Sequence, residues 1–345
     1  MVRGRRRLSI LILTLNEETN LPGLMESFDA VRAEVDQCDV ELELVIVDAG
    51  STDGTVALAA QLGFDRILEV PGTSIPEARN AAAVATDSPW LGYIDADCRV
   101  TAGWVTSAVT ALEAEELVVA GWPTTGPSEP TWVQRGWQAH GDSKLEALEY
   151  ESDGFLSSEI AYRLITARNM VCTREAFNAL EGFDERLPTG EDAEFAFRAW
   201  VGDFGLVGAP GMQVVHLGEP ATLSEFYRQQ LWHANHQAYG ALEADGRQVR
   251  NGRNPQLFSL GFLVGAVLLA VGVLAAWRRR RAEWLMAAAV PLSMVVGLPS
   301  AMTAWRRRDL RLVAPLAVLY AAYGAARSVD LLGGANRIRS WRSDA

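Results

Sequence analysis

The chain has 345 residues, enough for one large domain with an appendage or for two domains. Its net charge of −12 is uneven: residues 256–345 hold 12 Arg and 4 acidic residues and carry +8, which leaves −20 on residues 1–255. So acidic a region excludes non-specific binding of nucleic acid, which needs a basic face. The split predicts an acidic soluble region joined to a basic, membrane-seated tail.

The acidic region is also poor in lysine, since Lys144 is the single lysine among 31 basic residues. This composition is typical of proteins that work in high salt, where screening relieves the repulsion between like charges. A GC-rich genome that favours Arg codons is the alternative. It explains the missing lysine but not the excess of acid.

Residues 8–120 alternate short apolar runs with helical patterns. The first run follows basic residues, as in a signal peptide, but it is short and no small-residue cleavage site follows, so we predict a buried strand. The predicted strands are Leu8–Thr14, Leu42–Asp48, Arg66–Val70, Leu91–Asp95 and Leu117–Ala120. The predicted helices are Asn20–Val35, Asp53–Leu62, Ile75–Thr86 and Ala102–Glu115. This alternation predicts an α/β fold, with a mostly parallel sheet and helices on both faces.

The pattern changes after residue 120. Residues 121–160 begin with a loop rich in Gly and Pro and then carry aromatic residues in polar surroundings, which indicates an insertion that faces a ligand. A second ordered block, 160–216, contains a predicted helix from Glu191 and a strand near Met212–His216, and a further helix is predicted from Thr222 to Gly240. We therefore assign residues 1–242 to the soluble domain and 243–255 to a polar linker.

The tail, residues 256–345, is predicted to be a membrane domain with two to three transmembrane helices. Leu257–Trp277 and Trp284–Trp305 contain no charged residue, and each is long enough to cross a hydrocarbon core of about 30 Å. Leu312–Ala326 is shorter. It spans only if Arg327 snorkels to the interface, and a buried core helix is the alternative.

The arginines of the tail conflict with a simple topology. With the soluble domain in the cytoplasm, a first crossing places Arg278–Arg281 outside, against the preference of arginine for the cytoplasmic side. Three explanations stay open: the hairpin dips and returns, the first segment lies in the interface, or the preference is violated. We expect a multi-pass protein of the cell membrane whose soluble domain is cytoplasmic.

Polar residues follow the first two strands of the predicted sheet. Asn16 and Glu17 come after the first strand, and Asp48 precedes a Gly-containing turn after the second. Ligands of open α/β sheets bind beyond the carboxyl ends of the strands, where Asp48 could accept hydrogen bonds from a ribose or a base. Neither G-x-G-x-x-G nor a P-loop is present, so a phosphate-bearing ligand would need a cation here.

A pair of carboxylates, Asp95 and Asp97, follows the fourth strand and could hold that cation. Oxygen ligands suit Mg²⁺ or Mn²⁺, which would bridge the protein to a diphosphate. The alternative is two solvated turn residues. On the preceding helix, Arg79 could pair with a phosphate or a base, or form an ordinary salt bridge.

Two more acidic residues, Glu191 and Asp192, open a predicted helix. The helix dipole keeps carboxylates at this end ionised, so one of them could act as a general base; simple capping is the alternative. His216 ends a strand and could be a further metal ligand, or a packed histidine.

Together these residues resemble the family 2 inverting glycosyltransferases with a GT-A fold. The matching segments occur in the family's order over residues 8–238: Ser9–Glu17, Val47–Thr55, Ala78–Ala82, Asp95–Asp97, Gly182–Glu185 and Gly190–Asp192. The chain departs from the family at Leu13, where Pro is usual, and at Leu15, where Tyr or Phe is frequent. A Gln-x-x-Arg-Trp signature is missing near Trp232, which disfavours a processive polymerase.

The resemblance implies a role for each of these residues. The nucleotide-sugar would be bound by Thr14, Asn16, Glu17, Asp48, Arg79 and Asp95. Asp97 and His216 would hold Mg²⁺ or Mn²⁺, and the catalytic pair would be Glu191 and Asp192, with Asp192 as the base. We assign the acceptor site to Arg168, Asn169 and Trp232.

The function implied is metal-dependent transfer of a sugar, with inversion, from a nucleotide-sugar to a hydroxyl acceptor. A base at Asp192 favours a hydroxyl, and the membrane tail favours a lipid-linked saccharide, as in assembly of surface glycans or protein glycosylation. One alternative is a polyprenyl-phosphate hexose synthase, whose anionic acceptor needs no base. A second is a membrane scaffold without activity, against which the intact Asp95, Asp97 and Asp192 argue.

Overall fold

The computed structural model describes residues 5–146, 162, 164–202, 204–233, 254–280 and 283–332. The chain divides into two compact units. Unit 1 comprises Met1–Pro127 and Glu149–Gly218, and unit 2 comprises Ser128–Leu148 and Glu219–Ala345. Residues 243–253 of the predicted linker lie outside the described residues, and the domain limits at 242 and 256 stay a prediction.

Unit 1 is built on a seven-stranded sheet with the strand order β3-β2-β1-β4-β7-β6-β8. Its strands are β1 Arg6–Thr14, β2 Val40–Asp48, β3 Arg66–Glu69, β4 Trp90–Asp95, β6 Val118–Gly121, β7 Asn169–Thr173 and β8 Gly205–Gly208. Only β7 runs antiparallel to its neighbours in this sheet. The predicted α/β class with a mostly parallel sheet is confirmed, and β7 and β8 are strands that the sequence did not predict.

Twelve α-helices lie in the described part of the chain. Unit 1 contains α1 Leu21–Ala30, α2 Arg32–Gln37, α3 Thr55–Leu62, α4 Ile75–Val84, α5 Trp104–Leu112, α7 Arg174–Ala179 and α8 Glu191–Val201. Unit 2 contains α6 Trp132–Leu145, α9 Leu223–Trp232, α10 Asn254–Arg279, α11 Glu283–Arg306 and α12 Val313–Leu331. The helix predicted from Asn20 to Val35 is two helices, because the backbone leaves the helical conformation at Val31.

The register of the sheet brings the ends of three strands to one edge. Thr14 lies beside Asp48 on β2, and Leu13 lies beside Asp95 on β4. The strands are held by their apolar centres, since Ile10 and Ile12 of β1 are completely buried. A separate two-stranded sheet, β5 Cys98–Val100 with β9 Val214–His216, follows β4 and pairs Cys98 with His216. The sheet therefore collects the polar strand ends in one place.

Unit 2 joins two amphipathic helices to three apolar ones. Residues 132–145 of the predicted insertion form α6, whose Trp137 lies edge-on to Phe226 of α9 with ring centroids 4.8 Å apart. The helices α10, α11 and α12 are each long and apolar enough to cross a membrane, by length and composition. Residues 147–160 of the insertion, and 234–240 of the helix predicted from Thr222, lie outside the described residues.

A histidine buried in unit 2 makes the stability of the protein depend on pH. Burial, with a smaller contribution from Lys144, lowers the pKa of His140 from 6.5 to about 3. His140 stacks on Trp137, and its Nδ1 lies 2.6 Å from the Tyr320 hydroxyl. The folded state therefore holds this imidazole neutral at pH values where the unfolded chain protonates it.

We expect His140→Gln to flatten the acid side of the stability curve. The contribution of the neutral imidazole is fully present above pH 6.5 and is lost as the pH falls toward about 3. The loss amounts to about 1.4 kcal/mol per pH unit for a single group. Thermal unfolding of wild type and variant in detergent between pH 4 and 7 measures the difference, and parallel curves for the two proteins would contradict it.

Candidate active site

The turns after β1 and β2 hold each other through side chains. The Thr14 hydroxyl donates to Asp48 Oδ1 at 3.1 Å, and Asp48 Oδ2 accepts from the backbone N–H groups of Gly50 and Ser51. Asn16 has a φ of 59° and its side-chain oxygen accepts from the backbone N–H of Thr52 at 2.8 Å. Because Thr14 and Asp48 are almost fully buried, they hold the two turns in place from inside the protein.

Glu17 adds a carboxylate to the same edge. Its backbone N–H donates to Thr55 Oγ1 at 2.8 Å, and its side chain accepts from Asn20 Nδ2 at 2.8 Å. Burial raises the pKa of Glu17, the hydrogen bond from Asn20 lowers it, and the charges of Asp97 and Asp95 raise it further. Three carboxylates that repel one another thus share this edge.

Arg79 of α4 connects two of the predicted site segments. Its guanidinium pairs with Glu191 at the start of α8, and its Nη2 lies 3.2 Å from Asp95 Oδ1 at the end of β4. The ion pair is sequestered from water, since the Arg79 and Glu191 side chains are 9% and 5% exposed. The Arg79 guanidinium also lies 5.9 Å from the Phe183 ring centroid. The arginine therefore fixes α8 to the end of β4.

Burial shifts both carboxylates of this cluster in the same direction. It raises the pKa of Glu191 to about 7, although the positive charge of Arg79 lowers it. Burial likewise raises the pKa of Asp95, again against Arg79. In both acids the positive charge of Arg79 therefore opposes the effect of burial.

Asp97 and His216 meet where β5 pairs with β9. His216 Nε2 lies 3.1 Å from Asp97 Oδ2, and its Nδ1 lies 3.1 Å from Arg168 Nη1. Burial raises the pKa of Asp97, but the hydrogen bond and charge of His216 outweigh it, so the pKa is lowered overall. Asp97 is therefore ionised throughout the neutral range, as a metal ligand must be.

A divalent cation fits beside these two residues. The carboxylate of Asp97 and the imidazole of His216 come together in the described part of the chain with the thiol of Cys98. Burial raises the pKa of the Cys98 thiol well above its usual value, and hard cations such as Mg²⁺ and Mn²⁺ prefer oxygen to sulfur. The donors that remain, one oxygen and one nitrogen, suit Mn²⁺ and are compatible with Mg²⁺.

Gly218, which the sequence analysis did not single out, leaves room for such an ion. A Cβ at this position would lie 2.0 Å from Asp97 Oδ2 and 3.3 Å from His216 Nε2. Any side chain here would therefore occupy the space in front of both donors. The local sequence contains no signal for this role, because the contact depends on the pairing of β5 with β9.

Asp192 lies in the same region through its contact with the segment before β7. Its Oδ2 accepts from the backbone N–H of Ala167 at 3.2 Å, next to Arg168, whose guanidinium contacts His216. The neighbouring Glu191 reaches Asp95 through Arg79. Contacts on two sides therefore tie the start of α8 to the ends of β4 and β9.

The three residues predicted to bind the acceptor are found in different surroundings. Arg168 is partly exposed beside His216. Asn169 is completely buried, and its side chain bonds the Trp104 indole N–H and two backbone carbonyls. No part of Asn169 is left for a sugar, so we build the proposed acceptor site without it. Trp232 belongs to unit 2, and its role stays a prediction.

Known proteins resemble the chain in sequence and in fold. The sequence model of glycosyl transferase family 2 matches residues 9–178. A mannosyltransferase from Pyrobaculum calidifontis, solved with GDP-Man and Mn²⁺, has a TM-score of 0.57 at 17% identity, covering 95% of this chain and 87% of that one. Residues 1–349 of Staphylococcus aureus TarS, solved with UDP, give 0.47 at 14% identity, covering 95% and 92%.

No curated protein sequence gives a significant match to the chain. The mannosyltransferase, with its TM-score of 0.57, supports the fold. The family match covers most of unit 1, from β1 through β7. The chain therefore belongs to glycosyl transferase family 2 through its residues 9–178 and is a glycosyltransferase with a GT-A-like fold.

Proposed function

We propose that this glycosyltransferase moves a sugar from a nucleotide-sugar to a hydroxyl acceptor, with inversion at the anomeric carbon and with a divalent cation. The observation that carries the proposal is the contact of Asp97 with His216, to which Asp192 is linked through the neighbouring residues Ala167 and Arg168. The first two lie 3.1 Å apart, and Asp192 accepts from the residue beside Arg168, which contacts His216. A cation site and a candidate base thus share the edge of the sheet.

Asp97 and His216 would hold Mg²⁺ or Mn²⁺. When bound, the cation neutralises charge on the departing nucleoside diphosphate. The protein itself presents Glu17, Asp95 and Asp97 at this edge, and these carboxylates would repel a bare diphosphate. The mannosyltransferase with the same fold was solved with GDP-Man and Mn²⁺, which is consistent with a donor and a cation of these kinds here.

Glu191 and Asp192 are adjacent but have different surroundings. Glu191 is buried and paired with Arg79, so we assign it to positioning that arginine. Asp192 is partly exposed at the start of α8. Its Oδ2 is oriented by the N–H of Ala167. An acceptor hydroxyl that reaches this oxygen would lose its proton to Asp192 as it attacks.

The remaining predicted residues complete the proposed site. Thr14, Asn16, Glu17, Asp48, Arg79 and Asp95 would form the donor pocket, and Arg168 would contact the acceptor. For the acceptor itself we propose a lipid-linked saccharide in surface glycan assembly or protein glycosylation. The three apolar helices of unit 2 support a membrane-borne acceptor, and a base at Asp192 supports a hydroxyl. The active site would then face the cytoplasm.

A panel of UDP-, GDP- and dTDP-sugars, read by nucleotide release with Mn²⁺ and after EDTA, tests the donor and the cation. We expect nucleotide release from the sugars of one nucleotide, and we expect this release to stop after EDTA has removed the cation. Offering the preferred labelled sugar to a lipid-linked saccharide and to bare polyprenyl phosphate then tests the acceptor. Transfer to the phosphate alone would instead identify a polyprenyl-phosphate hexose synthase. If none of the nucleotide-sugars released its nucleotide, the protein would be a scaffold without activity.

Gly218→Ala is expected to weaken the binding of Mn²⁺ without unfolding the protein. The added methyl would collide with Asp97 Oδ2, and the backbone conformation of Gly218 is one that alanine can adopt. The affinity for Mn²⁺ should fall by about tenfold or more, as for other substitutions around metal ligands. Titration calorimetry measures it. Gly141→Ala is the control, because a Cβ there meets nothing within 4 Å; equal affinity in both variants would contradict the assignment.

A further inference from the structure

The third apolar helix of unit 2 is much less exposed than the other two. In α12, 39% of the most apolar window is buried, against 17% in α10 and 11% in α11. α10 exposes a row of apolar side chains, among them Val264, Val267 and Val271. By contrast, no described side chain between Leu319 and Leu331 of α12 is exposed. A helix that faces lipid should show a stripe of exposed apolar side chains, whereas Ala321, Ala325 and Val329 in this part of α12 are only partly exposed.

One side of α12 is covered by the amphipathic helices α6 and α9. Leu319 packs with Val133 of α6 and Phe226 of α9. Farther along, the Arg327 guanidinium donates to Gln230 Oε1 and to the carbonyl of His233 at the end of α9. Its charge thus supports the C-terminal end of that helix. Because Pro315 also lies near Gly136 of α6, the cover runs along α12 from Pro315 to Arg327.

The outer surfaces of α6 and α9 are charged. Their exposed charged residues are Arg135 and Lys144 on α6 and Glu225 and Arg228 on α9. Such side chains cost several kcal/mol each in the centre of a bilayer. These two helices therefore lie in water or among lipid headgroups. The part of α12 that α6 and α9 cover therefore also lies outside the hydrocarbon core of the membrane.

The opposite side of α12 crosses the base of the α10–α11 hairpin. Gly324 packs on Phe262 of α10, and the Ser328 hydroxyl lies 3.2 Å from the carbonyl of Ser259. Gly324 is five residues beyond Leu319, which turns it by about 140° around the helix. These contacts, with that of Tyr320 on Phe258, all fall on the short segment 258–262 of α10. Two helices that crossed the membrane side by side would instead make contacts along most of their length.

The length of the cover leaves too little of α12 to span a bilayer. From Pro315, which lies near Gly136 of α6, to Arg327 the helix rises about 18 Å at 1.5 Å per residue. The whole of α12, Val313–Leu331, is about 28 Å long by the same rise. The uncovered remainder is about 10 Å, whereas a hydrocarbon core is about 30 Å thick.

We propose that α12 is not a third membrane span but a surface helix, lying between the lipid headgroups at the base of the α10–α11 hairpin and the charged pair α6 and α9. The partner that α12 contacts in this position is the surface of the bilayer. Only α10 and α11 cross the membrane. The end of α12 therefore emerges on the side from which α10 enters, and the arginines at the end of α10, Arg278–Arg280, lie on the far side.

Labelling with a membrane-impermeant maleimide in sealed vesicles tests this topology on the full chain. Three single replacements by cysteine, all in a Cys38→Ser background, report on three places: Val84 in unit 1, Arg278 at the hairpin tip and Leu332 after α12. All three positions are exposed, and the remaining Cys98 and Cys172 are fully buried. We expect Val84→Cys and Leu332→Cys to be labelled from one side and Arg278→Cys from the other.

Two results would overturn the proposal. Labelling of Leu332→Cys together with Arg278→Cys would show that α12 crosses the membrane. Labelling of all three positions from one side would show that the hairpin does not cross. A matched pair of arginine substitutions gives a second reading, because Val267 in α10 and Val318 in α12 are 55% and 44% exposed. Val267→Arg should sharply lower the yield of membrane-inserted protein and Val318→Arg should not; equal losses would contradict a surface position.

Discussion

Replacement of Asp192 by Asn is expected to lower kcat by about 10²- to 10⁴-fold, the usual contribution of a general base. The amide cannot take the proton of the acceptor, but it is close in shape to the carboxylate and keeps an oxygen for the N–H of Ala167. The KM for the donor should change little, because Asp192 makes no contact with the proposed donor pocket among the described hydrogen bonds. Steady-state kinetics with the preferred nucleotide-sugar and a hydroxyl acceptor measure both constants.

Asp53→Asn is the matched control for this experiment. Asp53 also precedes a helix, where its Oδ1 accepts from the N–H of Thr55 at 3.0 Å, and asparagine caps a helix about as well as aspartate. The control therefore removes a carboxylate from a helix N-terminus without touching the proposed base. Full activity of Asp192→Asn would contradict the assignment, and activity retained only toward bare polyprenyl phosphate would point to an acceptor that needs no base.

The first half of the fold could be predicted from the sequence because its signals are local. The strands β1, β2 and β4 contain apolar runs of the length that a buried parallel sheet requires, and the helices between the strands have their own periodicity. β7 could not be found in this way. It is a five-residue strand that owes its place to β4 and β6 on either side, and its Asn169 looks like a ligand in sequence but is a buried support of the core.

The same distinction holds in the candidate site. Asp97 and His216 could be predicted singly from their positions after strands, but their meeting depends on the pairing of β5 with β9, which involves residues more than a hundred positions apart. Gly218 could not be predicted, since its role is to leave space. The sequence also could not separate Glu191 from Asp192, because adjacent residues at the start of a helix point about 100° apart and only the tertiary structure decides which one meets Arg79.

Removal of Arg79 is expected to show what Glu191 does. Arg79→Met leaves the buried Glu191 without its partner, which costs about 3–5 kcal/mol of stability for ion pairs of this kind. The side chain of Glu191 is 5% exposed, so water cannot replace the arginine. Without that positive charge the pKa of Glu191, already raised to about 7 by burial, should rise further. Urea unfolding of the detergent-solubilised protein, followed by tryptophan fluorescence, measures the loss.

The double variant Arg79→Met, Glu191→Leu separates positioning from catalysis. Removing both charges relieves the unpaired carboxylate, and replacement of a whole buried pair by apolar residues is often neutral or stabilising. Most of the lost stability should therefore return, although Asp95 still lacks its contact with Arg79 Nη2. Activity should stay low, because the end of β4 is no longer fixed to α8. If Glu191→Gln alone instead abolished turnover at unchanged stability, Glu191 would act on the substrate directly and the division of roles between Glu191 and Asp192 would be wrong.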